Sequence, residues 1–147
     1  MDRVILCIAS SGVPGGRCAY AAELQTERKR RRITGGSVES TPHRQLYRAL
    51  LAGLEALRKP CRVTVYTNAE WLVSGMGSAD AGTHGDIKRE VHAAAAEHIV
   101  DFEWINAFPG SQTLRRLARD TATTGTLGGP DLAGPYITED MQQMGLF

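Results

Sequence analysis

The most concentrated set of charged side chains in this chain is a run of cations between two apolar stretches: Arg28, Lys29, Arg30, Arg31 and Arg32. The nearest acids are Glu23, Glu27 and Glu39, so the run keeps a local positive excess although the whole chain has a net charge of only +1. Clustered cations raise the local concentration of phosphates. We therefore predict that this segment binds nucleic acid or another polyanion; the alternative is a solvated hairpin tip that only aids solubility.

Serine, histidine and cysteine side chains do not form a familiar catalytic or metal-binding motif. Ser10 and Ser11 lack the G-x-S-x-G turn that exposes a nucleophilic serine in many hydrolases. His92 and His98 are six residues apart and do not share a helical face, and no cysteine or acid completes a site. The cysteines, Cys7, Cys18 and Cys61, have no CxxC spacing, so we interpret them as buried thiols in a reducing compartment. The sequence predicts no metal ion and no cofactor.

Composition places the chain among ordinary soluble domains. It has 147 residues, of which 42% are hydrophobic and 22% charged. This is enough to bury a sizeable core. No stretch approaches the roughly 18 consecutive apolar residues of a membrane span. We expect a cytoplasmic protein that does not enter a membrane.

Apolar periodicity predicts an α/β domain with the element order βββαβα(α)βα. Arg3 to Ala9 reads as a buried strand, residues 10–16 as a turn-rich loop, and residues 18–24 as a second strand. The basic run and Ile33 form the returning strand of a hairpin, which Gly35-Gly36 ends.

Helix signals follow the hairpin. Thr41-Pro42 is a capping hydroxyl before a proline in the first turn, and leucines then recur at helical spacing until Pro60. We predict a strand over 63–67, a short helix over 70–73 and a glycine-rich loop over 75–85. A helix over 86–99, a strand over 100–105 and a helix over 112–122 complete the domain.

In order and spacing these elements resemble the ribonuclease H family from about Arg3 to Ala122. The resemblance is carried by several short stretches together: Gly16 with Tyr20, Thr41 with Arg44, Leu54 to Leu57, Cys61 to Thr67, Trp104-Ile105, and Leu117-Ala118-Arg119. It implies a mixed five-stranded sheet with helices on both faces, formed by residues 1–122. Residues 123–147 would be an irregular Gly/Pro-rich tail that docks on the domain or on a partner, with Met141, Met144, Leu146 and Phe147 as its apolar end.

The resemblance also implies an activity, namely cleavage of the RNA strand of RNA–DNA hybrids with two divalent metals held by four acids. Two ions stabilise the attacking and leaving oxygens of an in-line displacement. The positions that match the four acids here hold Ser11 (or Ser10), Leu46 beside Gln45, Asn68 and Arg115. A neutral amide binds a hard cation far more weakly than a carboxylate does. We therefore expect no catalytic residue and no metal site.

Arg115 places a cation where the family has a metal ligand, and a guanidinium can bind a phosphate directly. Its alternative is an ordinary solvated arginine. The resemblance matches Thr41 to Arg44 to residues that touch the hybrid, although Pro42 lacks an N–H donor. The predicted nucleic-acid contacts are therefore Arg28, Lys29, Arg30, Arg31, Arg32, Arg44 and Arg115.

The resulting expectation is a catalytically inactive ribonuclease H-like protein. It would bind RNA, DNA or a hybrid as an accessory or scaffold subunit of a nucleoprotein complex, with a protein partner. One alternative is a pure protein-interaction module or inhibitor. The other is an active metal-dependent nuclease whose ligands have moved to acids such as Glu39 or Glu70.

Overall fold

The computed structural model describes residues 1–76 and 84–132 and contains a five-stranded mixed sheet. The strands are β1 (Asp2–Gly12), β2 (Cys18–Gln25), β3 (Arg30–Ser37), β4 (Cys61–Thr67) and β5 (Ile99–Trp104), in the order β3-β2-β1-β4-β5. The first three strands pair antiparallel, whereas β4 and β5 run parallel to β1. The helices are α1 (Pro42–Glu55), α2 (Glu70–Met76), α3 (Gly85–Ala95) and α4 (Ser111–Thr124). The predicted α/β class and element order are confirmed.

Strand β1 is longer than its sequence predicts. Ser10, Ser11 and Gly12 continue the strand instead of opening a loop, because they pair with Tyr20, Ala19 and Cys18 of β2. Serine and glycine have weak strand propensity, so the cross-strand pairing decides the conformation. The extension carries Ser10 to the carboxyl end of β1. The predicted loop at 10–16 is thereby shortened to the turn after Gly12.

Helix α1 covers one face of the sheet. Thr41 caps it, since its hydroxyl accepts a hydrogen bond from the Arg44 backbone N–H at 3.2 Å, and Pro42 occupies the first turn. Leu46, Leu50 and Leu54 recur on the inner side and pack on Leu6 and other buried strand residues. Gly53 permits the close approach: a Cβ at this position would lie 2.5 Å from a Leu6 methyl. Burial of each such leucine contributes roughly 1.5–3 kcal/mol.

Helix α4 covers part of the opposite face. Its Leu114 and Ala118 pack against Cys7, Ala9 and Ala21 of the first two strands. The guanidinium of Arg17 holds the end of the helix, donating 2.8 Å hydrogen bonds to the carbonyls of Ala122 and Gly125. All three cysteines are buried and unpaired, as predicted, and burial raises the pKa of Cys7 to about 11.

The segment after α4 returns along the free edge of β3. The Gly128 N–H donates to the Gly36 carbonyl at 2.9 Å, the Val38 N–H donates to the Gly128 carbonyl at 3.0 Å, and the Asp131 N–H donates to the Glu39 carbonyl at 2.8 Å. The start of the predicted tail thus lies on the domain. The apolar residues from Met141 to Phe147 lie outside the described residues. Within the described part of the chain, no helix is long and apolar enough to cross a membrane.

A buried ion cluster joins this segment to the helices. Arg44 of α1 is only 2% exposed, and its guanidinium donates to both carboxylate oxygens of Asp86 at 2.5 and 3.0 Å. Arg44 also donates to Asp131 at 2.7 Å, and Arg48 donates to the same carboxylate at 2.7 and 2.8 Å. The hydrogen bonds from Arg44 lower the pKa of Asp86 to about 2. The hydrogen bonds from Arg48 and Arg44, opposed by burial, also leave the pKa of Asp131 below its ordinary value.

The cluster predicts an acid-labile contribution to stability. Because the folded-state pKa of Asp86 lies near 2 and its ordinary value is 3.8, this contribution is present above about pH 4 and is lost as the pH falls toward 2. Asp86→Asn should lower the free energy of unfolding at pH 7 by about 1–3 kcal/mol, since it removes charge-assisted hydrogen bonds to a buried guanidinium. Urea unfolding between pH 7 and pH 2 measures both effects.

The control for this experiment is Asp101→Asn, which changes an exposed carboxylate of β5 outside the cluster. It should leave the stability at pH 7 within about 0.5 kcal/mol of the parent protein. Equal losses in the two variants would contradict a special role for the cluster.

Candidate nucleic-acid interface

A pocket lies at the carboxyl ends of β1 and β4 and unites all four positions that the resemblance matches to metal-binding acids. Ser10, Leu46, Asn68 and Arg115 all line this cavity, which has a volume of about 170 Å³. Parallel pairing of β1 with β4 causes the convergence, because Ser10 lies near the end of β1 and Asn68 directly follows β4. Leu46 reaches it from α1 and Arg115 from α4. We call this cavity the Arg115 pocket.

The structure also decides between the two serines. Ser10 lines the pocket and Ser11 does not, because successive side chains of a strand point to opposite faces of the sheet. The Ser10 hydroxyl donates a 2.7 Å hydrogen bond to the Pro42 carbonyl, which ties β1 to the start of α1. Ser10 is therefore the residue at the first matched position.

No acid is found among the described residues that line the Arg115 pocket. The acids that could have replaced the lost ligands, Glu39, Glu70 and Asp120, are not part of its lining. Within the described ranges, no group of three or more His, Cys, Asp or Glu side chains could hold a metal ion. The residues present thus do not fit a divalent cation, while Arg115 gives the pocket a positive charge.

Aromatic side chains form one wall of the pocket. The rings of Trp71 and His43 both line it, and their centroids are 4.2 Å apart. Behind them, Tyr47 meets Trp71 edge-on at 5.6 Å and contacts His84 at 5.5 Å. Burial and the positive charge of Arg44 lower the pKa of His84. The sequence prediction missed this wall, because Trp71 is an isolated aromatic residue on a short helix and no pattern marks it.

The basic run lies at the other end of the sheet. Residues 26–29 form the β2–β3 turn, closed by a 2.9 Å hydrogen bond from the Thr26 N–H to the Lys29 carbonyl, and they lie beside Arg3 at the start of β1. Seven residues separate Arg3 from Ser10, so the turn is roughly 20 Å from the Arg115 pocket at about 3.3 Å per residue. The structure therefore does not bring the two predicted cationic surfaces together.

Within the basic run the arginines differ. Arg28, Lys29, Arg30 and Arg31 are exposed. Arg32 is half-exposed, and its Nε donates to the Glu23 carboxylate at 2.6 Å. Burial alone would raise the pKa of Glu23, but hydrogen bonds from Arg32 and Gln25 leave this pKa below its ordinary value. Four cations of the run thus remain open to an anion, and Arg32 is already paired.

The prediction that Arg44 contacts nucleic acid needs correction. Its side chain is buried and binds Asp86 and Asp131, so its guanidinium N–H groups are not available to a phosphate of a nucleic acid. The reason is its position on the inner side of α1, where an unpaired charge would be strongly unfavourable. Arg115 is exposed on α4 and lines the pocket, as does His43.

Comparisons with known proteins agree with this geometry. No protein-family model matches the chain. The ribonuclease H of Xanthomonas oryzae pv. oryzae (strain MAFF 311018) is 26% identical over 134 residues, which cover 80% of this chain and 87% of that protein. The ribonuclease H of Dinoroseobacter shibae is 31% identical over 120 residues, which cover 69% of this chain and 76% of that protein.

Among solved structures, LC11-RNase H1, isolated from compost by a metagenomic approach, matches with a TM-score of 0.69 and 17% identity, covering 84% of this chain and 100% of that one. Its complex with an RNA/DNA hybrid matches with a TM-score of 0.67 and 18% identity, covering 82% and 99%. These structures define the fold as that of the ribonuclease H class. The identity to the Dinoroseobacter protein goes further: the chain belongs to the ribonuclease H family.

The altered pocket predicts that metal affinity can be restored by carboxylates. A variant with Ser10→Asp, Asn68→Asp and Arg115→Asp should bind Mn²⁺ at least about tenfold more tightly than the parent protein, because hard cations need several carboxylate oxygens. Calorimetric titration measures the affinity. Asn68→Asp alone is the control and should bind only weakly. Equally tight Mn²⁺ binding by the parent protein would contradict the prediction. A thermal melt of each variant verifies that it is folded.

Proposed function

We propose that this protein binds nucleic acid through its phosphates and does not hydrolyse it. The observation that carries the proposal is the convergence of Ser10, Leu46, Asn68 and Arg115 on one pocket whose described lining holds no acid. In two-metal hydrolysis the carboxylates hold the ions that stabilise the attacking and leaving oxygens. Without them, the pocket offers a guanidinium, which attracts phosphate but activates no water.

Nucleic acid is the partner class that the family supports. LC11-RNase H1, with the same fold, has been solved with an RNA/DNA hybrid. The exposed cations to which we assign phosphate contacts are Arg115 at the pocket and four residues of the basic run, namely Arg28, Lys29, Arg30 and Arg31. Cations that neutralise phosphates release condensed counterions, so affinity depends steeply on salt and little on sequence. RNA, DNA and hybrid are all candidates, because none of these contacts reads a base edge.

A domain that binds nucleic acid without hydrolysing it can act by holding the nucleic acid near other proteins. We therefore propose that this domain serves as an accessory or scaffold subunit of a nucleoprotein complex. Among the described residues no strand pairs with the outer edge of β5, where Ile99 is about half exposed, so this edge offers backbone groups and an apolar side chain to a protein partner. On the opposite edge, the chain itself covers part of β3.

The first prediction concerns the basic run. Arg28→Gln with Lys29→Gln should weaken binding to a 20-nucleotide duplex about tenfold or more at 0.1 M salt and reduce the slope of log K against log salt by about 2. Fluorescence anisotropy measures both quantities. The matched control, Arg58→Gln with Arg89→Gln, removes the same charge from exposed sites elsewhere. Equal effects of the two variants would show that only net charge matters, and absence of binding at low salt would refute the proposal.

The second prediction concerns chemistry. A labelled RNA–DNA hybrid incubated with the protein and Mg²⁺ or Mn²⁺ should remain uncut, because no described carboxylate lines the pocket. Cleavage that is lost in Glu39→Gln or Glu70→Gln would instead establish an active nuclease with relocated ligands. The Arg115→Ala protein should also leave the hybrid uncut, because removing the cation supplies no ligand for a metal ion.

A further inference from the structure

We propose that the Arg115 pocket takes one unpaired nucleotide of a single-stranded nucleic acid, with its base against Trp71 and its phosphate at Arg115. This inference deepens the proposed function and rests on it. It assigns a ligand to a pocket whose residues no longer suit a metal. The partner class is single-stranded DNA or RNA, because only an unpaired base can present its face to a side chain.

Trp71 is exposed, unlike the residues that anchor its helix. Helix α2 is anchored by Leu72 and Met76, which are buried, so the helix does not need Trp71 for packing. The indole is nevertheless 36% exposed and lines the pocket. The His43 ring lies 4.2 Å from the indole and Tyr47 meets it in a T-shaped arrangement at 5.6 Å, so two neighbours restrict the ring while part of its surface lines the pocket. A fixed, open aromatic face is the surface on which bases stack.

The charged lining of the pocket suits a phosphate. Arg115 lines the same small cavity as Trp71, and so does Asn68, whose amide can both donate and accept hydrogen bonds. None of the described lining residues is an acid that would repel a phosphate. Single-strand sites combine aromatic platforms with cations that follow the backbone. The pocket brings both components together.

A pocket that stacks a base favours single strands over duplexes. Bases in a duplex are stacked on one another, so the pocket could meet a duplex only through Arg115. The basic run, roughly 20 Å away by strand length, contacts phosphates of either form. Changing the pocket should therefore affect single strands specifically, whereas changing the basic run should affect both forms.

The experiment compares binding of an eight-nucleotide oligothymidylate and of a 20-base-pair duplex by fluorescence anisotropy. Trp71→Ala should weaken oligothymidylate binding about tenfold, the effect typical of losing one stacked base, and leave duplex binding within about twofold. Arg115→Gln should weaken the single strand several-fold and lower its salt slope by about 1. Trp71→Phe should retain most of the affinity, because it keeps an aromatic face.

Two matched controls accompany these variants. Trp104→Ala removes the chain's other tryptophan, which is 49% exposed and donates to the Asn68 carbonyl without lining the pocket. Arg116→Gln removes the exposed neighbour of Arg115 on the same helix. Both controls should bind oligothymidylate within about threefold of the parent protein.

A direct readout is the quenching of intrinsic fluorescence. The Trp104→Phe protein has Trp71 as its only tryptophan, and its emission should be quenched in a saturable manner by oligothymidylate; the Trp71→Phe protein should be quenched much less. Unchanged binding in Trp71→Ala and Arg115→Gln, with binding by the basic run intact, would overturn this inference and leave the proposed function standing. No binding of either nucleic acid at low salt would overturn both.

Discussion

The parallel pairing of β1 with β4 is the constraint on which the site depends. Its register matches Cys7 with Tyr66, so the carboxyl ends of the two strands lie at the same end of the sheet, and Ser10 and Asn68 line the same pocket there. Helices α1 and α4 pack on opposite faces of these strands and add Leu46 and Arg115 from either side. Any residues at these four positions would meet, because the backbone sets the convergence. The convergence of the four positions is thus preserved, although no acid is found among the described residues that line the pocket.

The buried ion cluster is a second constraint, and it explains why Arg44, a charged residue at the start of α1, stabilises the fold. Arg44 faces inward, and a buried guanidinium is tolerated only when its donors are satisfied. Asp86 at the start of α3 and Asp131 after α4 satisfy them from two directions. Backbone hydrogen bonds hold Gly128 against the end of β3 and Asp131 against Glu39, so the edge of the sheet is partly covered by the chain itself. The charge of Arg44, which the sequence suggests for binding nucleic acid, stabilises the fold instead.

The fold was predictable from local patterns, and the site only in part. Alternation in β2 and β4 and the leucine spacing of α1 are local signals, and each element appeared where they indicate. The extension of β1 through Gly12 was not predictable from propensity, because pairing with β2 imposes it. Choosing Ser10 over Ser11 required that strand register. The structural role of Arg44 was not predictable from local sequence, because it depends on Asp131, which lies 87 residues away in a segment without a regular pattern.

The separation of the two cationic surfaces has a consequence for binding. A rigid duplex on the basic run reaches the opposite end of the sheet only if its axis follows β1, and there it offers phosphates alone. In the proposed mode of binding, a flexible single strand bends to place a base on Trp71 while other phosphates meet Arg28 or Lys29. Once one surface is occupied, the second contact becomes intramolecular, and its effective concentration depends on the length of strand between them. A strand that keeps the stacked rise of about 3.4 Å per nucleotide spans a gap of roughly 20 Å with about six nucleotides, and a more extended strand needs fewer. Strands too short to span the gap can occupy only one surface, so the length of the sheet sets the ligand size at which the two surfaces begin to act together.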